Sequence, residues 1–502
     1  MSQAVEQLRV WAGELADLDR ALSLLNWDQA TQLPPLGGDA RAEQLTTLQR
    51  IAHERFVSDR TAELIAAAEA ELRSQDGASL ENRSVAELRR LYEKERCVPA
   101  DLAAEMARAA SSGYARWVAA RDADDFSIFA PALEHNFALL RSYVACFDGY
   151  EDPYDVVLDN FAPRMKTSAV ERLLKGLQEQ LTPLIGELAG RPLDTSALTG
   201  HYPVEGQRRL VKEVLGWMGF DERSWRLDDA VHPFETSFGR HDVRITNRYS
   251  EKGFSSALYG AMHECGHGLY ESGIAAELDR TPLGTIRSSS MHESQSRLWE
   301  NFVGRGRAFS EALTPAVVNH AGGSLDGLEP GDLFRAVNAV TPAAVRLDAD
   351  ETTYSLHIVV RFELERAMLS GQLAVADLPG AWSERMRDYL GVAVNSDLEG
   401  PLQDIHWSEL LVGYFPTYAL GNMIAAQLWQ AAHTAIPGLD EQIAKGSFAS
   451  LRDWLGQEIH RHGSRYTDVE LLERAVGGDI AVEPLVAYLK AKLSDVYGVV
   501  LA

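Results

Sequence analysis

The chain has 502 residues, 46% of them hydrophobic, with 48 Lys and Arg against 73 Asp and Glu, a formal charge of -25 and a pI near 5.0. That balance argues against nucleic acid or an anionic membrane as partner, because no basic stripe exists to release phosphate counterions, and no stretch approaches the roughly 20 apolar residues of a membrane span. Three cysteines, Cys97, Cys146 and Cys265, are too few and too scattered for a disulfide framework or a thiolate metal site.

The N-terminal run MSQAVEQLRVWAGELADLDRALSLLNWDQ mixes acids with apolar residues and lacks the basic head and apolar core of a secretory leader, so a soluble cytoplasmic protein is expected. Residues 1–220 carry helical periodicity almost throughout. Segments such as Arg41 to Arg73 and Val170 to Leu188 place apolar residues at three- and four-residue spacing. They are divided by breaks such as Leu33 to Gly38 and Glu151-Asp152-Pro153.

Between about Trp225 and Tyr249 the texture changes. Gly239 to Asp242 supplies a turn, and Val243 to Tyr249 (VRITNRY) favours extended chain, which predicts one small antiparallel sheet. Helical patterns resume over Ser255 to Glu271, Ser288 to Ser310, Thr341 to Leu369 with Pro342 in its first turn, and Ala419 to Ala432, with three more to the end. The expected architecture is all-α with one small sheet beside the site. No linker divides the chain, so a single domain over 1–502 is expected.

Inside the Ser255 to Glu271 helix lies His263-Glu264-Cys265-Gly266-His267, an H-E-x-x-H sequence. Composition alone predicts fewer than about 0.06 such matches in a chain of this length. Residues four apart share a helix face, so two imidazoles can hold one metal ion while Glu264 reaches the water that the ion activates. Cys265, between the ligands, reads as a small packing residue.

A catalytic zinc site takes three protein ligands, and a carboxylate commonly joins H-E-x-x-H. Glu271, Glu277, Glu293 and Glu300 all follow the motif. Glu271 sits one turn beyond His267 on the same helix and points along it. Glu293 lies in the polar cluster His292-Glu293-Ser294-Gln295 near the start of a second helix and is the choice, with Glu300 in reserve. Glu264 is the general base, and an oxyanion donor is available from His406 together with Tyr414 or Tyr418.

The ordered motifs resemble those of the M32 metallocarboxypeptidases, typified by carboxypeptidase Taq. His232-Pro233-Phe234 comes first, then Asp242-Val243-Arg244-Ile245-Thr246 as D-x-R-x-T, then H-E-x-x-H and His292-Glu293-Ser294-Gln295. Val345 to Asp350 matches [IV]-R-x-x-A-D, and Gly400 to Trp407 matches G-x-x-Q-D-x-H-W. Leu25 to Gln29 and Pro153-Tyr154-Asp155 extend the likeness over nearly the whole chain.

The resemblance implies a neurolysin-like helical fold with a deep central groove, walled by the helical part over 1–220 and carrying the metal site in the part over 221–502, a homodimer, and removal of single C-terminal residues from peptides with broad specificity. It carries His263, His267 and Glu293 over as ligands and Glu264 as the base. A free C-terminal carboxylate suits the planar fork of an arginine, for which Arg346 is the first choice and Arg244 the second. The ordinary alternatives are an ion pair of Arg346 with Asp350 and one of Arg244 with Asp242. His232 and His292 are expected near the site. Zinc is the usual occupant of a His2Glu set, with cobalt or manganese admissible. An oligopeptidase or peptidyl-dipeptidase of the same class, or a non-catalytic helical scaffold, are the competing readings.

Overall fold

The computed structural model describes residues 3–321, 325 and 327–501. Helices α1 (Gln3–Thr31), α2 (Gly38–Phe56), α3 (Asp59–Leu72), α4 (Leu80–Cys97), α5 (Ala100–Ala123), α6 (Ala130–Val144), α7 (Pro153–Leu158), α8 (Thr167–Leu188) and α9 (Val204–Met218) precede strands β1 (Trp225–Asp229), β2 (Glu235–Gly239) and β3 (Asp242–Asn247). After the sheet come α10 (Ser255–Gly273), α11 (Ser289–Arg297), α12 (Arg307–Ala321), α13 (Pro330–Val337), α14 (Glu351–Leu369) and α15 (Leu378–Leu390). The chain ends in α16 (Pro416–Ala435), α17 (Leu439–Ile443), α18 (Ala449–Glu458), α19 (Asp468–Val476) and α20 (Glu483–Tyr497). No helix of the described residues is long and apolar enough to cross a membrane.

Local chemistry explains many boundaries. Ser58 and Ser79 cap α3 and α4 by accepting from Thr61 N and Asn82 N, and Thr467 with Glu470 forms a reciprocal capping box on α19. Helix α8 buries Val170, Leu173, Leu174, Leu177, Leu181, Leu184 and Leu188, an i, i+3, i+4, i+7 stripe that faces the core. The Arg41 to Arg73 pattern is two helices, because Val57 and Ser58 interrupt it.

Two predicted helices differ from the structure. The segment from Thr341 holds only a 3-10 turn over Arg346–Asp348 and does not become α-helical until Glu351, where Asp350 accepts from Thr352 N and Thr353 N as a cap; its other oxygen holds Thr341 N, and Arg346 N donates to Gln403. The Ser288 to Ser310 pattern is α11, a π-helical turn over Leu298–Val303, and a turn before α12.

The sheet is mixed, not antiparallel throughout. Its order is β1-β3-β2, with β2 antiparallel to β3 and β1 parallel to it, Trp225 opposite Val243. The tight turn after Gly239 forces β2 and β3 to run oppositely, while β1 arrives from α9 along the free edge of β3 in the same direction. Alternation in the sequence specifies faces but not the direction of a partner.

The described apolar core falls into one large and two small clusters. The large one runs from Ala120 to Leu493, so α6, α8 and α9 share it with β1, β3 and the helices that follow the sheet. A separate small core lies within α1, α3 and α4, from Val5 to Tyr92. The third cluster holds Ile274, Leu278 and Leu283 in the turns after α10.

Candidate metal centre

His263 and His267 project from one face of α10, and their Nε2 atoms lie 3.2 Å apart. Glu293 Oε2, from α11, is 3.7 Å from His263 Nε2 and 3.5 Å from His267 Nε2. Nitrogen and oxygen ligands at about 2.1 Å around a tetrahedral ion lie about 3.4 Å from one another, so the three atoms fit one divalent ion. They are the set of His, Cys, Asp and Glu groups among the described residues that meets the spacing for such an ion.

Two glycines make that convergence sterically possible. A Cβ on Gly266, within the H-E-x-x-H run, would lie 2.8 Å from Gln295 O and Ser296 Cα, so only glycine lets α10 approach α11 this closely. A Cβ on Gly421 of α16 would lie 2.8 Å from Glu293 Cγ. Helix α16 therefore packs directly against the Glu293 side chain.

Glu293 is buried, which by itself raises a carboxyl pKa. Arg297, whose Nε donates to Glu293 Oε1 at 2.7 Å, and the rings of His263 and His267 outweigh that cost and hold it far below the usual carboxylate range. Ser296 Oγ adds a donor at 3.1 Å to Oε2. A permanently ionised carboxylate is what a metal ligand requires.

Glu300, the reserve carboxylate, stands on the far side of the His263 ring. The π-helical turn brings its Oε2 to 2.9 Å from His263 Nδ1, while Arg297 and Arg305 donate to its two oxygens at 3.1 and 2.9 Å. It orients the imidazole so that Nε2 faces Glu293. Among the described residues His267 has no such partner on Nδ1; instead His292 stacks on it, ring centroids 4.1 Å apart and 17° from parallel.

Glu264 shares α10 with both imidazoles, and among the described residues no protein group hydrogen-bonds its carboxylate. Burial raises its pKa, against the opposing pull of His263 and His267. A raised, unencumbered carboxylate beside the ligand triad is suited to accept a proton. Glu271 is directed at His292, 3.6 Å from its Nε2, and burial pushes it up to about 7; Glu277 is exposed. The Cys265 thiol is fully buried and raised far above its ordinary pKa by that burial, consistent with packing.

Arg346 is buried and occupied. Its Nε and Nη2 donate to Asp404 Oδ1 at 2.9 and 2.7 Å, and Nη1 donates to Tyr354 OH at 2.9 Å. Asp350, capping α14, is not its partner. Arg361 takes the other Asp404 oxygen, Nε at 2.7 Å, so two guanidiniums share one carboxylate and leave a net positive charge. Arg244 pairs with Asp242 at 2.9 Å, as the strand alternation suggests, and also lies 4.2 Å over the Trp27 ring. It thereby links β3 to α1.

His406 Nε2 is 3.3 Å from Tyr418 OH, and its ring lies 5.5 Å from that of Tyr414. Burial is the largest cause of a pKa pushed down to about 4, with Arg346 and Arg361 adding to it against Asp404. The imidazole is therefore neutral near pH 7. Burial is the main cause that raises the pKa of both Tyr414 and Tyr418, and the charge of Glu293 adds to it in each. His232, exposed in the β1–β2 connection, is near enough to influence His406.

Comparison with known proteins agrees with this geometry. The family described as carboxypeptidase Taq (M32) metallopeptidase matches residues 7–493. The chain belongs to the M32 metallocarboxypeptidases. It is 40% identical to thermostable carboxypeptidase 1 of Thermus thermophilus over 99% of both chains, and 35% identical to carboxypeptidase 1 of Bacillus subtilis over 96% of both. Among solved structures, the M32 carboxypeptidase of Deinococcus radiodurans superposes with a TM-score of 0.95 at 38% identity, covering 99% of this chain and 100% of that one. Metallocarboxypeptidase 1 of Trypanosoma cruzi gives 0.92 at 30% identity, covering 98% and 99%. This M32 chain is a metal-dependent carboxypeptidase, a hydrolase of peptide bonds.

Sequence reading missed several groups that shape the centre. Gly266 and Gly421 carry no functional group, and their effect is visible only once the helices cross. Arg297 was legible, since it stands four residues after Glu293 at ion-pair spacing. Tyr354, Arg305 and Arg361 had no such local signal.

Proposed function

We propose that this M32 carboxypeptidase removes single C-terminal residues from peptides, with His263, His267 and Glu293 holding one zinc ion and Glu264 as general base. The observation that carries the proposal is the convergence of those three ligand atoms beside a Glu264 carboxylate that no protein group occupies. Cobalt or manganese would suit the same donors. When bound, the ion supplies Lewis acidity, polarising the scissile carbonyl and lowering the pKa of water toward about 7.

Glu264 takes the proton of the attacking water and passes it to the departing amine. Neutral His406, backed by Tyr418, with Tyr414 beside it, donates to the oxyanion that forms on the former carbonyl oxygen. Arg346, with the surplus positive charge it shares with Arg361 over Asp404, draws the terminal carboxylate into the groove; Arg244 is the alternative anchor. His232 flanks the substrate from the β1–β2 connection. Glu300 keeps the His263 tautomer fixed.

The chain acts as one domain and, by family resemblance, as a homodimer. Three unpaired cysteines and a charge of -25 suit the cytoplasm. The decisive experiment is mass spectrometry of one peptide offered with a free or an amidated C-terminus, to metal-loaded and chelator-treated protein. A one-residue ladder from the free acid alone, abolished by chelator, is expected; internal cleavage of both forms would replace this reading with an endopeptidase.

A further inference from the structure

Helix α14 grips a single segment of chain at two successive turns. Arg361 donates from Nε to Asp404 Oδ2 and from Nη2 to Gln403 Oε1, each at 2.7 Å. One turn on, Glu365 accepts from the indole Nε1 of Trp407 at 2.7 Å, from Gly413 N at 3.1 Å and from Tyr154 OH on α7 at 2.5 Å. Both side chains are 0% exposed. Trp407 follows His406 in the chain, and Gly413 precedes Tyr414.

One carboxylate thus closes the seven-residue turn, Trp407 to Gly413, that separates His406 from Tyr414. The turn is fitted tightly elsewhere: Gly413 has φ +93°, and a Cβ there would lie 2.7 Å from the Val157 backbone. Among the described residues no Arg or Lys lies within 4.0 Å of the Glu365 carboxylate, so three neutral donors satisfy it. A carboxyl buried without a cation is costly to keep in a core. Its acceptor oxygens are what an apolar residue of equal volume could not supply.

We propose that Glu365 is a positioning residue for catalysis, fixing the Trp407–Gly413 turn so that His406 meets the oxyanion in register. This rests on the reading of His406 as an oxyanion donor. A displacement of about 1 Å at such a group costs on the order of a hundredfold in rate.

The test uses the full-length, metal-loaded protein, with kcat, KM, metal content and thermal midpoint measured on one free-acid peptide. Glu365→Gln keeps the volume but turns an N–H donor toward one of the bound donors; kcat should fall about tenfold to a hundredfold, with KM within about twofold and metal content unchanged. Trp407→Phe should act in the same direction, and Tyr154→Phe, which removes the donor outside the turn, should leave kcat within about twofold. In the double variant Glu365→Gln with His406→Ala, kcat should fall no further than in His406→Ala alone.

A lowered thermal midpoint with kcat intact in Glu365→Gln would reduce the residue to a packing role and overturn the proposal. So would additive losses in the double variant. If Glu365→Gln fails to fold, Trp407→Phe in the same cycle with His406→Ala decides. Full turnover in His406→Ala would remove the oxyanion reading together with the proposal, whereas a slow His406→Ala beside an unaffected Glu365→Gln would remove the proposal alone.

Discussion

The small core under α1, α3 and α4 consists of ten apolar side chains from Val5 to Tyr92, and α2 buries no residue. The body around α10, α11, α14 and α16 instead buries Glu264, Glu293, Arg346, Arg361, Glu365 and Asp404 within a continuous apolar core. Contacts of the first region with the second include half-exposed ion pairs such as Arg20–Asp279, Arg83–Glu470 and Arg280–Asp17. Exposed pairs contribute little, because water screens them and side-chain entropy opposes them. Buried charges must be satisfied in one geometry. The catalytic body is therefore held by its polar network, whereas the N-terminal helices join it through these exposed pairs and at two buried points, Asp159 between Arg90 and Lys94 of α4 and Trp27 of α1 under Arg244.

The sharpest way to break that contrast is within the body. Glu264→Gln should lower kcat by about a hundredfold to ten-thousandfold while metal content stays at one ion per chain, because base is lost and ligands are spared; unchanged turnover would remove the assigned role. Glu300→Ala leaves His263 Nδ1 without its acceptor, and metal affinity by competition with a chelator should drop about tenfold to a hundredfold. If Glu300→Ala abolishes binding and Glu293→Ala does not, the ligand assignment is reversed.

Gly266→Ala introduces a methyl group where backbone atoms already stand 2.8 Å away, and should destabilise the body by about 1–3 kcal/mol in denaturant titration as α10 and α11 separate. The pH dependence follows from His406 and His460, held down at about 4 and about 3 mainly by burial. Folded-state values below the ordinary 6.5 mean that the unfolded chain binds protons first. Their contribution to stability is complete above about pH 6.5 and declines as pH falls toward 4, while Glu271 and Glu365, pushed up to about 7, and Asp468, pushed up to about 6, act with the opposite sign. The His406 effect is therefore read as the difference in thermal midpoint between the protein and His406→Gln, which should shift against the protein as pH falls from about 6.5 to about 4. At the small end, Arg20→Ala should cost less than about 1 kcal/mol and leave kcat unchanged; a large loss of turnover would show that the N-terminal helices are coupled to the metal centre after all.

The sequence was most legible where a pattern is local. His263 and His267 lie four apart on a helix that the periodicity outlines, and the amphipathic stripe of α8 or the break at Leu33 to Gly38 needs no tertiary information. Arg244 with Asp242 was readable for the same reason, two residues apart on one strand face. The helix expected from Thr341 was not, because its first ten residues are held by Gln403 and Asp350 through contacts that no window of sequence contains. Strand direction in the sheet failed likewise, since β1 and β3 meet only after the chain has turned twice.

By itself the sequence determined the helical class, the two imidazoles four residues apart, the carboxylate beside them and the order of motifs that places this chain among the M32 carboxypeptidases, because each depends on residues within a few turns of one another or on their order. Tertiary structure alone decided which carboxylate faces the imidazole Nε2 atoms and which one braces Nδ1, that Arg346 meets Asp404 and not Asp350, and that Gly266 and Gly421 are the openings through which three helices converge. Those outcomes are set by helix crossings, where side chains from distant segments compete for the same few ångströms and burial fixes which charges can stand together.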